Sequence, residues 1–204
     1  MRSDRVFRAA LVLFAAGSCC CFDSAFSQTQ LTSGIYEGLF LAVDQRGAVS
    51  GYYQESQGSG VSKTCSFYLA GQEKGGHADV ATWNAEVFPG SLTAAEQGVV
   101  LRIEKGRDHP GCGSVLPPLI SEGLSLDRVS ATDWTSLRRV VAKKTFFFPK
   151  PSTKGKTRTY VVMGDLVGVL SQSGDWLKVE YALGQKHVGG WMRAADAAEL
   201  QPLR

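Results

Sequence analysis

The most constraining feature of the chain is the punctuation of its last third. Between Val140 and Leu200 every apolar run is short, and almost every one is closed by glycine, by proline or by a Gly-Asp pair. Glycine and proline at that spacing interrupt helical propagation, whereas short alternating runs bounded by turn residues are what strands need. Val140-Val-Ala142 starts a strand. Phe146-Phe-Phe148 ends one at Pro149-Lys-Pro151, where two prolines remove ladder donors. Ser152 to Lys156 is a basic polar loop. Arg158 to Met163 is the next strand, Gly164-Asp165 a turn, and Leu166 to Leu170 its continuation. Ser171 to Asp175 reads as a hairpin loop, after which Trp176 to Tyr181 pairs back. Gly184 to His187 is a further turn, Gly189 to Met192 a closing strand, and Ala194 to Leu200 has the composition of a helical turn. Residues 136–204 therefore read as one small all-β unit.

The preceding hundred residues share this rhythm. Gly34 to Val43 alternates as a strand, Asp44 to Gly47 is a turn, and Ala48 to Gln54 returns as a hairpin. Gln57 to Gly60 is a second turn. Lys63 to Ala70 is a third strand, with Cys65, Phe67 and Leu69 on one face. Asp79 to Trp83 and Gly98 to Ile103 are further strands, Arg107 to Cys112 a loop, and Gly123 to Leu126 a last short strand. Strands joined by short turns predict an antiparallel meander over 28–132, closed as a small barrel because closure removes exposed edges. The fold class expected is all-β throughout: an N-terminal meander or small barrel, then a C-terminal SH3-like barrel. The opening Gly34-x-Tyr36-x-Gly38 is also loosely similar to up-and-down barrels of the lipocalin type, though without their signature Trp.

The N-terminus reads as a processing signal. Arg2, Arg5 and Arg8 precede an apolar stretch, Ala9 to Gly17, too short to span a bilayer. Ala25-Phe26-Ser27 offers small residues at the cleavage positions, which places the leader at 1–27. Lipid attachment at Cys19, Cys20 or Cys21 is the alternative, but the expected Leu three residues before Cys19 is missing. Export leaves two cysteines, Cys65 and Cys112, and an even pair in an oxidising compartment reads as a disulfide. A periplasmic or secreted protein follows, and no other segment is apolar and long enough to cross a membrane.

Charge divides the chain at the same point as the strand pattern. Residues 28–135 hold 7 Lys and Arg against 12 Asp and Glu, a balance of −5; residues 136–204 hold 12 against 5, a balance of +7. Opposite halves of this kind either dock on each other or leave the basic half to an anionic surface.

Tyr160-Val-Val-Met-Gly-Asp165, then Gly174-Asp-Trp-Leu-Lys-Val179, then Gly190-Trp-Met192 is similar to the bacterial SH3 domain family. In that family a run x-Gly-Asp-x-Val-x-Val-Leu precedes Trp-x-Lys-Val and a terminal Gly-Trp. The likeness covers the C-terminal third only. It implies a binding or targeting module, often for cell-wall peptides, and not catalysis. Trp176 and Trp191 fall on its core and turn positions.

Catalytic signatures are absent from the sequence: it has no Gly-x-Ser-x-Gly, no His-Glu-x-x-His and no phosphate loop. His77, His109 and His187 lie among Gly, Pro and Lys and read as solvated loop histidines. The pairs His77 with Asp79 and Asp108 with His109 do not match a metal-site spacing, so neither cofactor nor metal is expected. Lys143, Lys144, Lys150, Lys154, Lys156 and Arg158 form a basic cluster that is either a solvated loop, a dock for the acidic half, or a surface for an anionic polymer. Nucleic acid is not expected of an exported chain. Phe146, Phe147 and Phe148 cannot all face one way along a strand; Phe147 must oppose its neighbours. They serve either as core and inter-domain contact or as the floor of a ligand groove. Tyr52 and Tyr53 present one ring to each face of their strand. The ligand-binding candidates are thus Phe146, Phe148, Lys150, Lys154, Tyr160, Trp176 and Trp191. The expected activity is binding, to peptidoglycan fragments or an envelope protein, with an inhibitor or immunity protein that caps a secreted enzyme as the alternative.

Overall fold

The computed structural model describes residues 30–58, 63–183 and 188–202. The leader expected at 1–27, with Cys19 to Cys21, lies outside the described residues. So do the tip of the turn expected at Gln57 to Gly60 and the turn at Gly184 to His187.

The fold is all-β, as the strand rhythm requires. Eight strands run in order: β1 (Gly34–Tyr36), β2 (Leu39–Val43), β3 (Ala48–Gln57), β4 (Lys63–Lys74), β5 (His77–Trp83), β6 (Val87–Ala94), β7 (Gly98–Arg102) and β8 (Leu124–Ala131). Each pairs antiparallel with the next, and β8 returns to β1 with Ala131 opposite Gly34, so the barrel is closed. Strand alternation fills it. Cys65, Phe67 and Leu69 of β4 point inward and are fully buried, and Tyr53 of β3 stacks on Phe67 at 5.0 Å between ring centres. The interior is a packed core rather than a channel.

Between β7 and β8 three single 3-10 turns (Gly106–Asp108, Cys112–Ser114 and Pro118–Ser121) form a strap whose His109, Cys112, Leu116 and Ile120 are buried. A disulfide joins Cys112 to Cys65 across 47 residues of sequence. A loop of that length constrains the unfolded chain by about 4 kcal/mol in the entropy model. Gly111 makes the approach possible. Its φ is 83°, and a Cβ there would collide with the carbonyl of Thr64, beside Cys65.

The second unit begins at β9 (Ser136–Val140). A two-stranded ribbon follows, β10 (Lys144–Phe146) and β11 (Tyr160–Val162), then β12 (Leu166–Ser173), β13 (Trp176–Tyr181), β14 (Gly189–Arg193) and β15 (Ala197–Glu199). The five-stranded sheet has the order β14-β13-β12-β9-β15. Its last strand returns to its first, Ala197 opposite Val140, after one 3-10 turn at Ala194–Asp196. Val140, Phe147, Val167, Leu177, Val179 and Met192 make its core.

The two units meet along an apolar seam. The outer face of β2 to β5 supplies Ala42, Phe40, Tyr52, Tyr68 and Trp83, the link between β8 and β9 supplies Trp134, and the second unit supplies Leu137, Leu166, Ala182 and Leu200. The Leu137 amide donates to Ser50 Oγ at 2.8 Å, and Ser33 Oγ donates to the Trp134 carbonyl at 2.6 Å. Tyr52 therefore faces the seam and Tyr53 the barrel interior, one ring to each face.

Several local expectations are corrected. Gly34 to Val43 is not one strand: the chain reverses at Glu37 and Gly38, so β1 pairs with β2. A strand the sequence hides, β6, carries Pro89 and Gly90 at its centre. Its first half lacks a β7 partner, since β7 pairs only with Ser91 to Ala94, and proline is tolerated there because no ladder donor is needed on that side. β8 extends well past Leu126. The Ser171 to Asp175 loop is mostly strand, with the reversal at Gly174 and Asp175. The helical turn expected over Ala194 to Leu200 is a 3-10 turn followed by β15.

Candidate ligand-binding face

The register of β13 against β14 sets Trp176 opposite Arg193 and Lys178 opposite Trp191. Leu177, Val179 and Met192 alternate with these and are fully buried, so the tryptophans and cations stand on the outward face. Phe148 is brought to the same face by a backbone pair. Its amide donates to the Trp191 carbonyl at 2.8 Å, and the Trp191 amide donates back at 2.8 Å. The Phe148 ring meets Trp176 edge-on at 5.2 Å, and the Arg193 guanidinium lies 4.4 Å from the centre of the Trp176 ring. Trp176 is only 8% exposed beneath these two neighbours, whereas Trp191 and Phe148 are half-buried. The three phenylalanines divide by parity: Phe147 enters the core at 0% exposure and its neighbours face out.

Toward the seam this face is closed by Trp134. Its ring lies on Gly168, where a Cβ would clash with it, and its Nε1–H donates to Glu180 Oε2 at 3.1 Å. The open part of the face is therefore the Trp191 end, where Lys178 and Arg193 are exposed.

The ribbon carries a second patch. Lys144 opposes Val162, and Phe146 opposes Tyr160, so all four share its outer side, while Thr145 and Val161 point inward and are buried. The Phe146 and Tyr160 rings meet edge-on at 5.8 Å. Lys144 Nζ sits 3.7 Å from the Tyr160 ring centre, and Lys156 Nζ 4.7 Å from that of Phe146. Thr145 Oγ1 donates to Asp196 Oδ2 at 2.6 Å and holds the ribbon to the sheet.

The seven residues singled out from sequence are thus split. Phe148, Trp176 and Trp191 meet on the sheet face, and Phe146 and Tyr160 on the ribbon. Lys150 and Lys154 are exposed in the loop joining β10 to β11, outside both strand pairings that build these patches. Sequence reasoning missed Arg193 and Lys178 as part of the face. Their signal was strand parity: each stands two residues from a tryptophan, on the same side.

The histidines also depart from expectation. His77 is the first residue of β5, exposed, with Nε2 3.4 Å from Asp79 Oδ1. His187 lies outside the described residues. His109 is 1% exposed, stacked on Phe67 and edge-on to Phe88, both at 4.8 Å. Thr82 Oγ1 gives its proton to the Phe88 carbonyl, so it accepts from His109 Nε2–H at 3.0 Å. Nδ1 is left buried without a partner. Burial pushes this imidazole down to about 4, only partly offset by the nearby Asp108 carboxylate. A neutral ring wedged in a barrel core is a packing element. No group of three or more His, Cys, Asp or Glu suited to a metal occurs among the described residues. None of their helices is long and apolar enough to cross a membrane.

The chain matches no protein-family model, no curated protein and no solved structure. What the face does must be read from its own chemistry: an aromatic shelf edged by two exposed cations.

Proposed function

We infer that this is an exported envelope protein that works by binding rather than turnover, its second unit acting as a bacterial SH3-like module. The ligand class is a carboxylate-bearing peptide of the kind found in cell-wall stems. The observation that carries the reading is the reciprocal backbone pair between Phe148 and Trp191. It assembles Phe148, Trp176, Trp191 and Arg193 into one outward shelf from three separate segments. Flat rings take up peptide side chains and methyl groups, and a guanidinium already resting on a ring is placed to bind a carboxylate in two-pronged fashion. The return of β15 to β9 after a single 3-10 turn, with a ribbon inserted after the first strand, supports the SH3-like reading of the unit. The disulfide supports export.

The test is co-sedimentation of the full chain with purified peptidoglycan. Wild-type protein pellets with the wall; Trp191→Ala and Arg193→Glu variants, which leave the core untouched, stay in the supernatant. Equal pelleting of all three, or none by wild type, defeats the reading. Recovery of a stoichiometric envelope enzyme in place of wall material supports the inhibitor alternative.

A further inference from the structure

A second surface of the molecule is built for a different partner. Residues 141–164 contain six cations, Lys143, Lys144, Lys150, Lys154, Lys156 and Arg158, and no Asp or Glu. Opposite charge on the first unit does not neutralise them. The seam is apolar, and none of the six is within ion-pair distance of a carboxylate among the described residues. Apolar groups are exposed within the same stretch. Val141 is 38% exposed, Val162 40%, Tyr160 48% and Met163 63%. Tyr160 and Val162 share the outer side of the ribbon with Lys144 and Phe146. Val141 and Met163 flank the point where the Gly164 amide donates to the Val140 carbonyl, so they stand together at the ribbon's base.

We propose that this ribbon docks the protein on an anionic lipid surface. Three features of the patch select that occupant. Its cations are almost all lysine, a residue depleted from protein interfaces but effective as a point charge against anionic headgroups. Its apolar groups are aliphatic and tyrosyl, the types that enter the boundary between headgroups and acyl chains. Lys144 and Lys156 rest their ammonium groups on the Tyr160 and Phe146 rings, so charge and aromatic surface form one continuous exposed patch. A soluble polyanion would use the charge and leave Met163, Val162 and Val141 without a role. The proposal does not depend on wall binding, because Trp191 and Arg193 are not part of the ribbon.

The experiment is flotation of the full chain with vesicles of phosphatidylcholine alone, and with about one lipid in three replaced by phosphatidylglycerol. Binding is expected only to the second, and is expected to collapse at about 0.5 M salt, where screening is short-ranged. Lys144→Glu with Lys156→Glu weakens partitioning by about tenfold or more. Val162→Ser with Met163→Ser weakens it severalfold at unchanged charge, and Trp191→Ala leaves it unchanged. All substituted positions in the two double variants are exposed, and an unaltered near-ultraviolet circular dichroism spectrum shows that each is folded. No preference for the anionic vesicles overturns the proposal. So does full binding by the Val162 and Met163 variant together with equal competition from soluble polyglutamate, which would make the patch a polyanion site.

Discussion

The barrel and the smaller unit spend their aromatic residues in opposite ways. In the barrel every large ring is taken up by the protein itself: Tyr53, Phe67, Phe88 and His109 lie in or against the interior, and Phe40, Tyr52, Tyr68 and Trp83 line the seam. In the second unit a single phenylalanine, Phe147, serves the core, while Phe146, Phe148, Tyr160 and Trp191 keep an outer edge. The barrel turns its rings to a filled interior or, along β2 to β5, to the seam, whereas the five-stranded sheet keeps part of its aromatic outer side open. The difference teaches where recognition can reside. It also predicts how each region responds to change: barrel variants should cost stability, and outward-face variants should cost binding.

The largest expected effect is on the strap. Replacing both Cys65 and Cys112 with Ala releases 47 residues from closure and should lower unfolding free energy by about 4 kcal/mol. Urea titration of the paired variant against wild type reads this directly. A loss below about 1 kcal/mol would mean that the buried strap keeps its place without its covalent tie, and the asymmetry between the units would shrink.

Next comes the pH response of His109. Its imidazole is about 4 in the folded chain and ordinary, near 6.5, when unfolded, so the unfolded state binds the extra proton first. Stability is therefore full above pH 6.5. It falls as pH drops toward 4 and then levels, by about 3 kcal/mol for this group alone. Physically, protonating Nδ1 creates a donor where no acceptor exists. His109→Phe keeps the stack with Phe67 and Phe88, and Thr82 retains its bond to the Phe88 carbonyl. Denaturation midpoints for this variant should lose most of the wild-type slope between pH 6.5 and 4; an identical slope in both refutes the assignment.

Much of this fold is legible in the sequence, and the failures have a common physical source. Alternation in Lys63 to Ala70 and the parity of Phe146 to Phe148 are local, and both read correctly. The reversal at Glu37 and Gly38 is also local but brief, and the alternation on either side runs through it. β6 is hidden because Pro89 and Gly90 look like turn residues, and only the missing β7 partner on that side makes them acceptable. Ala194 to Leu200 has helical composition, yet pairing with β9 overrides it. His109 is surrounded by Arg107, Asp108, Pro110 and Gly111, the company of a solvated loop. What buries it is the disulfide three residues on, which draws the strap to Cys65 in the barrel interior. That signal was available: a cysteine paired to an inward strand position drags its neighbours with it. The face around Trp191 was half legible, since its rings were visible in the sequence and its cations required the register of β13 on β14.

Smaller still is the effect of Gly168→Ala. The added methyl meets the Trp134 ring that seals the sheet at the seam, and overpacking of this kind costs about 1–3 kcal/mol. The informative readout is Trp134 itself, the donor to Glu180. Displacing it opens the seam end of the shelf, so indole fluorescence should shift to the red while the disulfide-tied barrel keeps its near-ultraviolet signal from Tyr53. A stability loss without that shift would place the strain in β12 rather than at the junction.

The smallest effect on stability is expected at Arg193, and it sharpens the contrast most. The guanidinium lies over Trp176 from an exposed position, a contact that contributes roughly 0.5–1 kcal/mol. Arg193→Lys retains charge but loses the planar, two-pronged donor set; Arg193→Ala loses both. If the outward shelf is a recognition surface, thermal midpoints of the two variants should stay within a few degrees of wild type. Wall binding should fall in the order Arg, Lys, Ala. If instead Arg193 only shields Trp176 from water, lysine and alanine should differ in stability and agree in binding. The shelf would then be a lid on the core, and the second unit would resemble the barrel in keeping its aromatics for itself.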